Sequence, residues 1–90
     1  MPRIVIERRN GVVTFDPNPA DAVAGRDAVF WYNGDNTPHA LAPDVGSTDK
    51  WTVGTVNPEH SSSQVNFQTA GEHAYRCTMH DNERGTINVQ

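Results

Sequence analysis

Apolar residues recur at every second position in several short runs, and no window sustains the three-to-four spacing of an amphipathic helix. Ile4 and Ile6 sit in a β-branched run, Arg3 to Glu7, and Val12 to Phe15 form a second. Asn10-Gly11 between them is a strong hairpin signal. Asp27 to Asn33 is the richest strand candidate: Val29 and Trp31 alternate with Phe30 and Tyr32, so both faces are covered. His39 to Ala42 reads as a brief extended piece stopped by Pro43, and Trp51 to Val56 as a strand or an irregular crossing. Pro58 to Phe67 reads as a surface strand buried at one end, with Ser61, Ser63, Val65 and Phe67 on one face. Glu72 to Cys77 and Gly85 to Gln90 complete the set, the last with Ile87 and Val89 inward. Asp16 to Ala24, with Pro17 and Pro19, reads as a connection; Gly34 to Pro38 as a polar turn; and Asp44 to Lys50 as a loop. Seven to eight short strands predict an all-β sandwich or barrel.

Size and charge narrow the function. Ninety residues fit one domain, 1–90, with a modest core. The formal charge is −4, and the seven basic residues are dispersed, so the phosphate-neutralising patch of a nucleic-acid binder is missing. The longest apolar stretch is about five residues, far below a membrane span. A lone cysteine excludes an internal disulfide. Arg3, Arg8 and Arg9 flank the first apolar run, which therefore does not read as a signal peptide. The chain is then either cytosolic or one whose leader has been removed.

The chemistry gathers near the end. Cys77 leaves a strand and His80 follows in the loop before the next strand, so a thiolate and an imidazole can converge on one ion without a long ordered loop. A third ligand must come from elsewhere. His39, just after a polar turn that follows a Trp-bearing strand, is the candidate. One Cys and two His form the trigonal set that binds copper as an electron-transfer centre.

These residues and their flanks resemble the cupredoxins, the small blue-copper proteins. Ala24 to Asn33 looks like the family's Gly…Val-x-Trp-x-Asn strand, Thr37-Pro38-His39 like its first histidine motif, and Asn57 to Phe67 with Ala70 to Cys77 like its late strands. Gly85 to Val89 looks like the closing strand. The resemblance implies a Greek-key β-sandwich and one copper ion cycling between Cu(I) and Cu(II). It also implies work outside the cytosol, in the periplasm or a comparable lumen, by a monomer that turns over no substrate.

The ligand loop departs from the family. The compact amicyanin-type loop reads Cys-x-x-His-x-x-Met-x-Gly, and here Glu83 stands at the axial methionine's position. Met79 occupies the place before His80 where the family usually has proline, and should point away from the metal; Met1, at the terminus, is a poorer substitute still. A carboxylate is hard and anionic, favours Cu(II), and predicts a low potential and a colour other than intense blue. Ala40 replaces the asparagine that often follows the first histidine, leaving its backbone N–H to reach toward the Cys77 sulfur. Asp81, Asn82 and Glu83 would ring the electron port with polar groups, so a redox partner is expected to dock there through a basic surface. The same His39, Cys77, His80 and Glu83 also make an acceptable zinc site, which keeps open a non-redox module for copper storage, copper delivery or zinc. His60 and His73 are read as surface or core residues rather than ligands, His73 with a packing role.

Overall fold

The computed structural model describes residues 2–80 and 82–90. The strands are β1 (Arg3–Arg9), β2 (Val12–Asp16), β3 (Ala20–Ala22), β4 (Ala28–Asn33), β5 (His39–Pro43), β6 (Val53–Val56), β7 (Val65–Asn66), β8 (Gly71–Cys77) and β9 (Arg84–Val89). Asn10 and Gly11 both take positive φ, 52° and 78°, as the two-residue turn of a twisted hairpin requires. β1 and β2 accordingly pair with Arg9 opposite Val12.

The strands form two sheets, β2-β1-β4-β7 and β3-β9-β8-β5-β6. β1 runs parallel to β4 and β3 parallel to β9, while the other pairs are antiparallel. The chain passes repeatedly from one sheet to the other, which produces a sandwich rather than a meander. Alternation does the sorting: Val29, Trp31 and Asn33 of β4 and His73, Tyr75 and Cys77 of β8 turn inward, their neighbours less so. Ile4, Ile6, Leu41 and Ile87 fill the core between them. Trp31 stacks on Trp51 at 5.4 Å and meets Tyr75 edge-on at 5.2 Å; Phe15 closes the other side of Tyr75 at 5.1 Å. Such pairs each add about 0.5–1.5 kcal/mol beyond area burial.

Two segments differ from the sequence reading. Ala20–Ala22, read as connection, is a strand: Ala20 and Ala22 are buried around an exposed Asp21, and the edge of β9 supplies the parallel partner. Two alanines carry too little hydrophobic contrast to reveal that alternation. Conversely, Pro58 to Phe67 is a strand only at Val65–Asn66, with an isolated bridge from Ser61 to Tyr32. The Ser62 hydroxyl accepts from the Trp31 N–H at 2.9 Å, and Glu59 bends the chain at φ 65°, so side-chain and turn bonds replace a continuous ladder.

His73 packs in the core edge, as expected, with its ring 4.9 Å from Phe67. Its Nδ1 lies 2.6 Å from Asp49 Oδ2 and its Nε2 2.7 Å from the Thr69 carbonyl, so both nitrogens face acceptors. Burial pulls the imidazole's pKa down, but Asp49 and the Thr69 carbonyl outweigh it and raise the value. A raised folded-state pKa stabilises the fold fully below the unfolded value of about 6.5, and that contribution is lost as pH rises through the higher folded value. Thermal stability should therefore decline from pH 6 toward pH 8, and Asp49→Asn should flatten the decline. A profile that Asp49→Asn leaves unchanged would remove His73 as its source.

Candidate metal centre

Three elements meet at one end of the sandwich. β5 begins at His39, β8 ends at Cys77 and β9 begins just after Glu83. β5 and β8 are neighbours with Leu41 opposite Cys77, which brings His39 to the Cys77 end of the sheet. The pairing of β5 with β6 shifts register between His39 and Leu41, a local irregularity of the kind that re-aims a side chain. The loop after Cys77 is closed by its own backbone: the Cys77 N–H donates to the Glu83 carbonyl at 2.9 Å and the Glu83 N–H to the His80 carbonyl at 3.3 Å. The Thr78 N–H donates to the Ala40 carbonyl at 2.8 Å. Ala40 thus ties the two ligand segments together, but through its carbonyl to Thr78.

His39, Cys77, His80 and Glu83 each present one donor atom, and these atoms lie within 4.8 Å of one another. Cys77 Sγ is 3.5 Å from His39 Nδ1 and 3.6 Å from His80 Nδ1. Glu83 Oε1 is 3.0 Å from His39 Nδ1 and 3.3 Å from His80 Nδ1. His39 and Cys77 are wholly buried, whereas the His80 side chain is 40% exposed and forms the cluster's edge to solvent. Glu83 faces the cluster rather than the water: it is buried, and its Oε1 has no hydrogen-bond partner. A buried carboxylate oxygen is not normally left unpaired. A thiol, two imidazoles and that oxygen, all aimed at one point, suit a single copper ion.

Behind His39 lies a feature that sequence reasoning missed. Asp35, read only as part of a polar turn, is buried and places Oδ2 2.8 Å from His39 Nε2. It also makes a two-pronged pair with Arg8 at 2.9 and 3.0 Å and accepts from the Thr37 hydroxyl and the Asn36 N–H, both at 2.8 Å. The Arg8 guanidinium, ahead of the bonds from His39, Thr37 and the Asn36 N–H, holds the Asp35 carboxyl far below the usual carboxylate range, although burial opposes it. An ionised carboxylate can only accept, so His39 Nε2 donates to Asp35 and Nδ1 is the ring nitrogen turned to the cluster. Asn33 shapes this turn from inside, donating to the Thr37 and Val56 carbonyls and accepting from the Asp35 N–H. In the sequence, the one hint was an acid four residues before His39.

The remaining candidates fall outside the cluster. Met79 is half exposed, His60 is on the surface and His73 is engaged with Asp49. Of the acids expected at the port, Glu83 turns inward and Asp81 lies outside the described residues, as does Met1. The rim near His80 is instead a groove of about 340 Å3 that includes Arg8, Val12, Val13 and Asn82.

No protein-family model and no curated protein matches the chain. Solved structures do. A purple cupredoxin from Nitrosopumilus maritimus superposes with a TM-score of 0.85 at 23% identity, covering 100% of both chains. The fold is that of the cupredoxins. A reduced amicyanin variant follows with a TM-score of 0.79 at 23% identity, covering 99% of this chain and 81% of its own. An oxidised amicyanin variant gives 0.78 at 23% identity over the same shares. Within this fold His39, Cys77, His80 and Glu83 form a donor cluster suited to one copper ion.

Proposed function

We propose that the protein is a small mononuclear copper protein that carries single electrons between redox partners and turns over no substrate, its residues 1–90 forming one domain. His39, Cys77 and His80 are the principal ligands, and Glu83 is the fourth. The observation that carries this reading is the convergence of the four donor atoms within 4.8 Å, with Glu83 Oε1 buried and without a hydrogen bond among them. Copper bound there supplies a one-electron Cu(I)/Cu(II) couple. The chain's own residues do the rest. The buried His39 and Cys77 keep water from two of the donors, and the backbone bonds of Cys77, Thr78 and Glu83 fix the loop. His80, the exposed edge, is where an electron enters or leaves. A redox partner docks over that edge. With Glu83 inside, the case for a basic partner surface rests on the net charge of −4. The protein acts as a monomer and works outside the cytosol, in the periplasm or a similar compartment.

A second reading has support in the same donor set. Thiolate, two imidazoles and a carboxylate also make a tetrahedral zinc site, or a store for copper that is not cycled. Loading the protein with one equivalent of Cu(II), against Zn(II) in competition, separates the two. Electron transfer predicts a thiolate-to-copper absorption band, its paramagnetic signature and a reversible couple, all abolished by Cys77→Ser. Absence of the band in the unaltered protein would sink the copper reading.

A further inference from the structure

We infer that Arg8 and Asp35 are a charge-balanced positioning pair for the metal centre, Asp35 aiming His39 into the cluster and Arg8 offsetting the charge that Asp35 brings. This rests on the copper reading above and deepens it. Asp35 is 5% exposed and bonded at once to His39 Nε2, the Thr37 hydroxyl and both prongs of the Arg8 guanidinium. Hydrogen bonds of this outer kind set a histidine's orientation and its strength as a donor. A divalent ion held by one thiolate and one carboxylate is neutral as a set. Asp35 then adds one uncompensated negative charge beside it. Arg8 supplies the opposite charge and also lines the groove that contains His80 and Glu83. It reaches there from β1, anchored by an Nη1 contact to the Gly11 carbonyl at 3.4 Å, so the β1–β2 hairpin becomes part of the site.

The pair makes opposite predictions for its two members. Arg8→Gln removes a positive charge and favours Cu(II), so the reduction potential falls. Asp35→Asn keeps an acceptor for His39 Nε2 but removes a negative charge, so the potential rises. Each change is expected to shift the Cu(I)/Cu(II) ratio at fixed ambient potential about tenfold, or about 59 mV for one electron. A purely structural role moves both variants the same way or neither. Arg8→Gln leaves the buried Asp35 charge without its main partner and is the variant most prone to misfold. Asp35→Asn leaves no buried charge unpaired and carries the test by itself: an unmoved or lowered potential overturns the inference.

A second readout needs no copper. In the Zn(II)-loaded protein the His39 Nε2–H should exchange slowly with solvent by NMR, at least tenfold faster in Asp35→Ala, and slowly again in Asp35→Asn. Equal exchange in all three overturns the positioning role. A protein that binds zinc, shows this exchange pattern and gives no copper couple would refute the electron-transfer reading while supporting the pair. A normal couple that neither Arg8→Gln nor Asp35→Asn moves would do the reverse.

Discussion

Glu83→Met shifts the absorption of the copper-loaded protein toward intense blue and raises its reduction potential. Glu83 Oε1 lies 3.0 and 3.3 Å from the Nδ1 atoms of His39 and His80, inside the cluster rather than beside it. As a ligand, its carboxylate would stabilise Cu(II) more than Cu(I), because it is anionic and hard, and would compete with the thiolate for the metal. A thioether is neutral, soft and weakly held. Removing a unit charge in direct contact is worth several kcal/mol at an effective dielectric constant near 20. That is two to three powers of ten in the redox equilibrium, or about 100–200 mV at about 59 mV per power. Absorption and potentiometric titration of the two proteins side by side measure both effects. If spectrum and potential stay where they were, Glu83 is not a ligand.

Among the glycines, Gly85→Ala should be the most damaging. Gly85 stands opposite Tyr75 in the β8–β9 ladder, and a Cβ there would overlap the phenol ring, lying 2.9 Å from Cε1 and closer still to Cζ and the hydroxyl. The ring cannot retreat, since Phe15 and Trp31 meet it at 5.1 and 5.2 Å and its own exposure is nil. Overpacking of this kind costs about 3 kcal/mol, at the upper end of its usual range. For a domain of this size that lowers the melting temperature by about 12–20 °C. Gly85 is two residues after Glu83, so β9 shifting away from the ring would also drag the carboxylate out of the cluster. Metal affinity should therefore fall with stability. Adding Tyr75→Leu, which shortens the obstacle, should make the double variant less destabilised than the sum of the two changes. Strict additivity would show that the ring is not what Gly85 accommodates.

The parts of this molecule that sequence reveals are those with a local signature. A β-branched run marked β1, period-two alternation marked β4, β8 and β9, and Asn10-Gly11 marked the hairpin. Cys77, His80 and Glu83 share one loop, so their spacing carries the site almost unaided; His39 needed its flanking Thr37-Pro38. What stayed hidden depends on contacts across the fold. β3 exists because β9 offers it an edge. Asp35 matters because Arg8, 27 residues earlier, lies against it in space. The Glu83 side chain turns inward where the bond from the Cys77 N–H to the Glu83 carbonyl closes the loop. None of these is a property of a window of sequence.

The bonds that fasten the ligand loop run between main-chain atoms: Cys77 to Glu83, Glu83 to His80, and Thr78 to Ala40. Main-chain bonds are indifferent to side-chain identity. Thr78, Met79 and Asn82 can therefore be exchanged as a cassette, altering the chemistry displayed around His80, while the frame that grips the donors stays as it is.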